Sequence, residues 1–192
     1  MKLTDSLKNF KKNTKIEDII LFGSLIKGKE NPNDIDILIV FKEEIDKDLE
    51  YELKNTLKNV FLKISIVSKT KKSIYENSFF AKDAIFFEGF SLLENEYLAK
   101  KQGYTPWGLF KYETRHLDNA KKTTFYYALN GRKKQKGLMM EYGLIKLSNN
   151  ALLAPLDKMC LTEGFFEKWS NYRLFPILIP TRLSKKEIIE KY

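Results

Sequence analysis

Two short apolar segments near the start of the chain place the strongest limit on its fold. Residues 18–22 form the first segment, which stops at Gly23-Ser24, and residues 34–41 form the second. Apolar runs of about 4–8 residues between turn-forming residues are typical of buried strands. Apolar residues then recur at every fourth position from Ile45 to Leu57 within a charged stretch, which predicts a surface helix.

The rest of the first half continues this alternation of strands and helices. We expect a short amphipathic helix before the first strand, then a third strand, one or two helices and a last short strand after the surface helix (residues 3–12, 60–67, 69–87 and 90–93). Strands and helices that alternate within fewer than 100 residues predict an α/β or α+β fold built on a small mixed sheet.

A polar segment, residues 94–103, separates the two halves and predicts a linker. We therefore expect two domains, residues 1–96 and 97–192. The second domain is expected to be a small basic α+β unit, with helices and apolar segments that follow one another along the chain (residues 114–129, 137–142, 151–154, 163–170 and 174–179).

Charge is distributed unevenly between these halves. The chain has a net charge of +9, yet residues 1–96 hold 16 basic and 17 acidic side chains, whereas residues 97–192 hold 18 basic and 8 acidic ones. A strongly basic domain beside a nearly neutral one is typical of a protein that binds a polyanion. The alternative is a lysine-rich surface that only keeps the protein in solution.

Composition excludes several classes of protein. Hydrophobic residues make up 43% of the chain, with Phe 14, Tyr 10 and Trp 2, which excludes a disordered chain. No apolar run approaches the roughly 20 residues that a membrane helix needs, and the start lacks the apolar stretch of a secretory signal. Cys160 is the only cysteine, so no internal disulfide can form. We expect a cytoplasmic protein without a membrane partner.

Two aspartates on the second strand suggest a metal site. Side chains alternate along a strand, so Asp34 and Asp36 project from one face. At about 5 Å and an effective dielectric near 20, two such charges repel by roughly 3 kcal/mol, which a cation between them would offset. Mg²⁺ prefers carboxylate and phosphate oxygens, so the pair predicts a site for Mg²⁺ and phosphoryl-type chemistry.

The Gly23-Ser24 turn supplies groups that suit an anion. A glycine at the end of a strand allows a ligand to approach the backbone closely, and a serine after it offers a hydroxyl and backbone N–H groups to a phosphate. Lys27 lies near enough in sequence to assist as a point charge. The alternative for Lys27 is an ordinary solvated loop lysine.

These residues together resemble a known family. Gly23-Ser24, then Gly28, then Asp34-Ile35-Asp36 within an apolar strand is similar to the signature of the nucleotidyltransferase superfamily typified by DNA polymerase beta, and most to its minimal bacterial and archaeal members. The resemblance covers about residues 16–94 and includes Glu88-Gly89 near its end. The second half is not covered.

The resemblance implies roles for these positions. Gly23 and Ser24 would hold the β and γ phosphates of a nucleoside triphosphate, and Asp34 and Asp36 would bind two Mg²⁺ ions as metal ligands and catalytic residues. Family enzymes usually carry a third carboxylate on a later strand, and Ser65 occupies that position here. Asp83 or Glu88 could supply the missing oxygen, the metal alone could activate the acceptor, or the site could bind nucleotide without turnover.

A basic and aromatic segment in the second half is the candidate nucleic-acid contact. It contains Phe125-Tyr126-Tyr127 and six cations: Lys121, Lys122, Arg132, Lys133, Lys134 and Lys136. Cations neutralise phosphates and aromatic faces stack on unpaired bases. At helical spacing Phe125 and Leu129 face the core and a neighbouring tyrosine reaches solvent, so a solvated basic face is the alternative.

Three functions follow from these observations. The first is a Mg²⁺-dependent nucleotidyltransferase that adds a nucleoside monophosphate to a nucleic-acid end, RNA in preference to DNA, held by the basic domain. The second is a non-catalytic nucleic-acid-binding protein with a degenerate site, because Ser65 replaces a carboxylate. The third is a transferase that acts on a protein or small-molecule acceptor.

Overall fold

The computed structural model describes residues 7–61, 63–133 and 135–189. It divides into two compact units, residues 1–102 and 103–192. Residues 3–6 of the helix predicted at residues 3–12 lie outside the described residues, and the described part contains helix α1, Lys8–Lys11. Among the described residues, no helix has the length and apolar character needed to cross a bilayer.

The first unit is a mixed sheet with helices. After α1 its elements are β1 (Ile16–Phe22), β2 (Ile35–Phe41), α2 (Lys47–Lys58), β3 (Ile64–Thr70), a 3₁₀ turn (Ser73–Tyr75), α3 (Lys82–Glu88), β4 (Phe90–Ser91), β5 (Glu96–Tyr97) and α4 (Leu98–Lys101). The strand order is β3-β2-β1-β4-β5. Only β2 and β3 pair in parallel, across the α2 crossover. The predicted mixed sheet and α+β class are confirmed.

Strand β2 is the centre of this unit because both of its faces are buried. Ile37 and Ile39 face the cluster that contains Leu53 and Leu57 of α2. Leu38, on the opposite face, belongs to a second cluster with Ile85 of α3. Burial on both sides explains why β2 is continuously apolar rather than alternating.

Several predicted boundaries differ from the observed ones. The third strand begins at Ile64 rather than at residue 60, because residues 59–61 end helix α2 and lead away from it. The stretch predicted as helical, residues 69–87, begins with the last residues of β3 and contains only the 3₁₀ turn and α3 as helical segments. Residues 94–103 contain β5 and α4 and are therefore not an irregular segment.

The second unit is an antiparallel sheet with helices. Its elements are β6 (Tyr104–Glu113), α5 (Asn119–Asn130), β7 (Gly131–Arg132), β8 (Gln135–Lys136), α6 (Leu138–Glu141), β9 (Ile145–Ser148), β10 (Ala151–Pro155), α7 (Met159–Trp169), β11 (Asn171–Pro180) and α8 (Lys186–Ile189), with 3₁₀ turns at Leu156–Lys158 and Thr181–Leu183. The main sheet has the order β11-β6-β10-β9, and β7 and β8 form a hairpin.

Aromatic packing forms the core of the second unit. Phe110 and Tyr112 of β6 lie against Phe166 of α7, with ring centroids 5.4 and 4.8 Å apart respectively. Phe125 of α5 joins this cluster and is buried together with Leu129. The helix predicted from residue 114 begins later, at Asn119, because the Asp118 carboxylate caps it by accepting the Lys121 N–H at 2.8 Å.

A buried carboxylate joins β1 to β4 in the first unit. Asp18 is 8% exposed, and its Oδ1 accepts hydrogen bonds from the Ser91 hydroxyl at 2.7 Å and the Ile19 N–H at 2.8 Å. Burial raises the pKa of Asp18, and these two hydrogen bonds oppose the shift. Because the folded state has the higher pKa, ionised Asp18 reduces stability as the pH rises through that value.

We therefore expect Asp18→Asn to be more stable than the wild type at pH 7. The amide oxygen keeps both hydrogen bonds without a buried charge, so the melting temperature should rise by about 2–4 °C, the shift for roughly 1 kcal/mol in a chain of this size. The difference should close as the pH falls toward the ordinary range for aspartate. Thermal unfolding at several pH values tests this, and an Asn variant that melts below wild type at pH 7 contradicts it.

Candidate active site

Asp36 lies at the centre of the candidate site. It pairs with Phe22 at the end of β1 and with Ser65 on the parallel strand β3. The period of two places Asp36 on the same sheet face as Leu38, toward α3. Asp34 immediately precedes β2 and is exposed.

The backbone of Gly23 lies directly against the Asp36 carboxylate. Gly23 has a φ of +85°, and a Cβ built on it would overlap Asp36 Oδ2 and lie 3.1 Å from Cγ. Only glycine tolerates both this left-handed backbone and this contact. The turn predicted from the sequence is therefore adjacent to the aspartate that follows it thirteen residues later.

Residues 24–28 form overlapping turns after Gly23. The Lys27 N–H donates to the Gly23 carbonyl at 3.4 Å, and the Lys29 N–H donates to the Ser24 carbonyl at 3.0 Å. Leu25 and Ile26 pack against the first-unit core, which holds these turns in place. The Lys27 side chain consequently returns toward the sheet instead of extending into solvent.

Glu88 fastens this turn from the other side of the site. It is the last residue of α3 and is 4% exposed. Its Oε1 accepts the Gly23 N–H at 2.7 Å, and its Oε2 lies 3.4 Å from Lys27 Nζ. The N–H of Gly23 is thus occupied by Glu88, so Gly23 contributes close approach to a ligand rather than a hydrogen-bond donor.

Four charged groups near Gly23 influence one another: Asp34, Asp36, Glu88 and Lys27. Burial is the main cause that raises the pKa of Asp36, and the negative charge of Asp34 raises it further. Burial likewise raises the pKa of Glu88, and the charge of Asp36 adds to that rise. Lys27 opposes both shifts. Among the described residues, Lys27 is the cation that acts on Asp36 and Glu88, against the charges of three carboxylates, so the site favours a second positive charge.

These donors fit Mg²⁺ bound together with a phosphate ligand. Within the described part of the chain, no three His, Cys, Asp or Glu side chains are grouped to hold a metal by themselves. Mg²⁺, however, is usually held by one or two carboxylates plus substrate phosphates and water. Asp34 and Asp36 supply hard oxygen ligands of that kind, whereas Ser65 beside Asp36 adds a hydroxyl in place of a third carboxylate.

The basic residues form a separate set in the second unit. Lys121 and Lys122 lie on α5, and Arg132, Lys133 and Lys136 lie on the β7–β8 hairpin; all five are exposed. Lys134 lies outside the described residues. Lys121 Nζ is 3.8 Å from the Asp118 carboxylate, so part of its charge is compensated within the helix.

Sequence reasoning did not foresee the link between Glu88 and Gly23. It considered Glu88 only as a possible oxygen ligand, and Asp83, the other residue considered, is exposed on the first turn of α3. The signal that could have indicated Glu88 is its position at a helix end just before a strand, where a buried carboxylate needs a partner.

We expect Gly23→Ala to abolish triphosphate binding, because the added methyl group displaces Asp36. A non-glycine residue at positive φ costs roughly 1–2 kcal/mol, and the overlap with Asp36 adds to this. Gly143→Ala is a matched control, since Gly143 has a φ of +63° and a Cβ there meets nothing within 4 Å. Urea unfolding should show that both variants are destabilised, Gly23→Ala more than Gly143→Ala, and triphosphate titration should show loss of binding only in Gly23→Ala. Equal triphosphate binding by both variants would contradict a role for this contact in binding.

Comparisons with known proteins agree with this geometry. The family model described as "Polymerase beta, Nucleotidyltransferase" matches residues 6–88, which include the turn, both aspartates and Glu88. A relative from Methanocaldococcus jannaschii, named "Putative protein adenylyltransferase", is 34% identical over 64 residues, which cover 32% of this chain and 74% of the relative. No solved structure matches this chain. The chain belongs to the polymerase beta nucleotidyltransferase family.

Proposed function

We propose that this protein is a Mg²⁺-dependent nucleotidyltransferase that transfers a nucleoside monophosphate from a nucleoside triphosphate to a nucleic-acid acceptor, RNA in preference to DNA. The observation that carries the proposal is the contact of the Gly23 backbone with the Asp36 carboxylate. It supports the proposal because the turn that would bind phosphate lies against the strand that would bind the metal.

Each residue of the site would have a separate task. Asp34 and Asp36 would hold the two Mg²⁺ ions of the family, which when bound would neutralise the triphosphate and polarise its α-phosphate. Ser24 and Lys27 would bind the β and γ phosphates. Gly23 would allow the triphosphate to lie close to the backbone, and Glu88 would keep the turn in the required position.

The reaction proposed at this site is a displacement at phosphorus. An acceptor oxygen forms a bond to the α-phosphorus, the bond to the bridging oxygen breaks, and pyrophosphate leaves. The acceptor proton passes to solvent, because the Ser65 hydroxyl beside Asp36 is not a base at neutral pH. The absent carboxylate is expected to slow the step rather than to alter its products.

The basic second unit supports a nucleic-acid acceptor. Residues 97–192 carry 18 basic and 8 acidic side chains, and the described lysines and arginine of α5 and the β7–β8 hairpin are exposed. Contacts between cations and phosphates supply most of the sequence-independent affinity for nucleic acids. RNA presents free 3′ hydroxyl ends as acceptors in the single-stranded form that stacking residues bind.

A protein acceptor is the alternative that the name of the archaeal relative favours. That relative is less than half as long as this chain, as the two alignment shares require. The relative therefore indicates no function for the second unit of this chain. A non-catalytic binder would bind triphosphate and nucleic acid but transfer nothing.

One assay separates the three candidates. The protein is incubated with each α-labelled nucleoside triphosphate, Mg²⁺, a mixed RNA pool and a mixture of unlabelled proteins. We expect label on RNA. Label on protein supports a protein acceptor instead, and binding without any transfer supports a non-catalytic binder.

We expect the double variant Asp34→Ala, Asp36→Ala to lose Mg²⁺-dependent triphosphate binding and at least 10³-fold in transfer rate, because the remaining site has no metal-binding carboxylate pair. The control is Glu43→Ala, Glu44→Ala, which removes the same charge just after the other end of β2. Equal losses in both variants, or retained transfer in the first, would show that the aspartates do not hold the metal.

We also expect Glu88→Ala to raise the KM for the triphosphate about tenfold or more with a smaller effect on kcat. A charge-assisted hydrogen bond contributes about 1.5–3 kcal/mol, and without it the turn must be ordered when the ligand binds. Glu88→Gln should keep a KM near wild type, because its amide oxygen still accepts the Gly23 N–H. Identical KM values for the two variants would exclude this positioning role.

A further inference from the structure

Helix α5 borders a groove in the second unit that the transfer reaction does not use. The groove has a volume of about 490 Å³ and is lined by residues of α5, β6 and β9 and of the turn after β9. This volume lies within the range of roughly 300–1,000 Å³ that is typical of ligand sites. All of its walls belong to one unit, so it exists independently of the candidate active site.

Two exposed tyrosines form one side of the groove. Tyr126 and Tyr127 are 56% and 38% exposed, whereas their neighbours Phe125 and Leu129 are 5% and 3% exposed. The two rings meet edge to face, with centroids 5.9 Å apart and an interplanar angle of 70°. Both rings remain partly exposed to solvent, and Tyr126 is the more exposed of the two.

Cations surround these rings. Lys122 and Lys146 line the groove, and the Arg132 guanidinium lies 4.8 Å from the centroid of the Tyr127 ring. The described residues that line the groove include no carboxylate. Positive charge beside an exposed aromatic face suits a ligand that combines anionic groups with a flat ring.

The groove wall also includes a buried aromatic residue of the core. Tyr112 lines the groove and is 3% exposed. Its ring packs against Phe125 and Phe166. This packing anchors one wall of the groove in the core of the second unit.

We propose that this groove binds an unpaired nucleotide of single-stranded nucleic acid. The base stacks on Tyr126, the more exposed of the two rings, and the flanking phosphates contact Lys122, Lys146 and Arg132. A duplex is disfavoured, because its bases are already paired and stacked and cannot present a free face to the tyrosines. That the bound strand serves as the acceptor in nucleotide transfer rests on the proposed function. Binding of single strands by the groove does not.

The test measures binding of the full-length protein in EDTA without nucleoside triphosphate, so the transfer reaction plays no part. Fluorescence anisotropy follows labelled 12-nucleotide single-stranded RNA, the same sequence as DNA, the RNA duplex, and polyglutamate of equal charge. We expect single strands to bind at least tenfold more tightly than the duplex or polyglutamate, and binding to weaken with salt. Comparison of the affinities for single-stranded RNA and single-stranded DNA decides which of the two nucleic acids the groove prefers.

Variants identify the groove as the site. Tyr126→Ala should weaken single-strand binding about tenfold, while Tyr126→Phe retains the ring and should bind like wild type. Tyr51→Ala is the matched control, because Tyr51 is 68% exposed on α2 in the first unit. Lys122→Gln with Lys146→Gln should reduce the salt dependence. Equal affinity for duplex or polyglutamate, an unaffected Tyr126→Ala variant, or no binding at all overturns the proposal, whatever the label-transfer assay shows.

Discussion

The contact of the Gly23 backbone with the Asp36 carboxylate is the constraint on which the first unit's candidate site depends. It requires a left-handed glycine, a short turn after β1 and an aspartate at the paired position of β2. The buried carboxylate of Glu88 holds this arrangement through the Gly23 N–H and Lys27. Because each group has its partner inside the protein, the turn is positioned before any ligand binds.

The charges of the site oppose one another and thereby favour a cation. Three carboxylates, those of Asp34, Asp36 and Glu88, lie near one described cation, Lys27, and burial raises the pKa values of Asp36 and Glu88. This imbalance reduces the stability of the free protein and increases the benefit from a bound metal. The presence of Ser65 beside Asp36 distinguishes the site from one with three carboxylates on the sheet. The second unit adds a different chemistry, in which exposed tyrosines and cations share one groove.

Local patterns predicted the first unit better than the second. Strands β1 and β2 and helix α2 followed from apolar runs and from apolar residues at every fourth position. Strand β6 had not been assigned, because Pro106 and Gly108 interrupt its pattern. A Cβ at Gly108 would lie 2.9 Å from Met159 Cγ and 3.0 Å from Leu174 Cδ1, so this glycine permits close packing within the strand instead of breaking it. Such a requirement depends on neighbours that are distant in sequence.

The sequence by itself determined the alternation of strands and helices, the Gly23-Ser24 turn and the aspartate pair, because each depends on residues a few positions apart. The charge difference between the halves follows from composition alone. Only the tertiary structure decided that Glu88 contacts Gly23 from 65 residues away, and that Tyr112, α5 and Lys146 border one groove. The physical reason is that contacts between elements follow from how their buried faces pack. Strand and helix periodicity predict which face of an element is buried, but they do not predict which other element packs against that face.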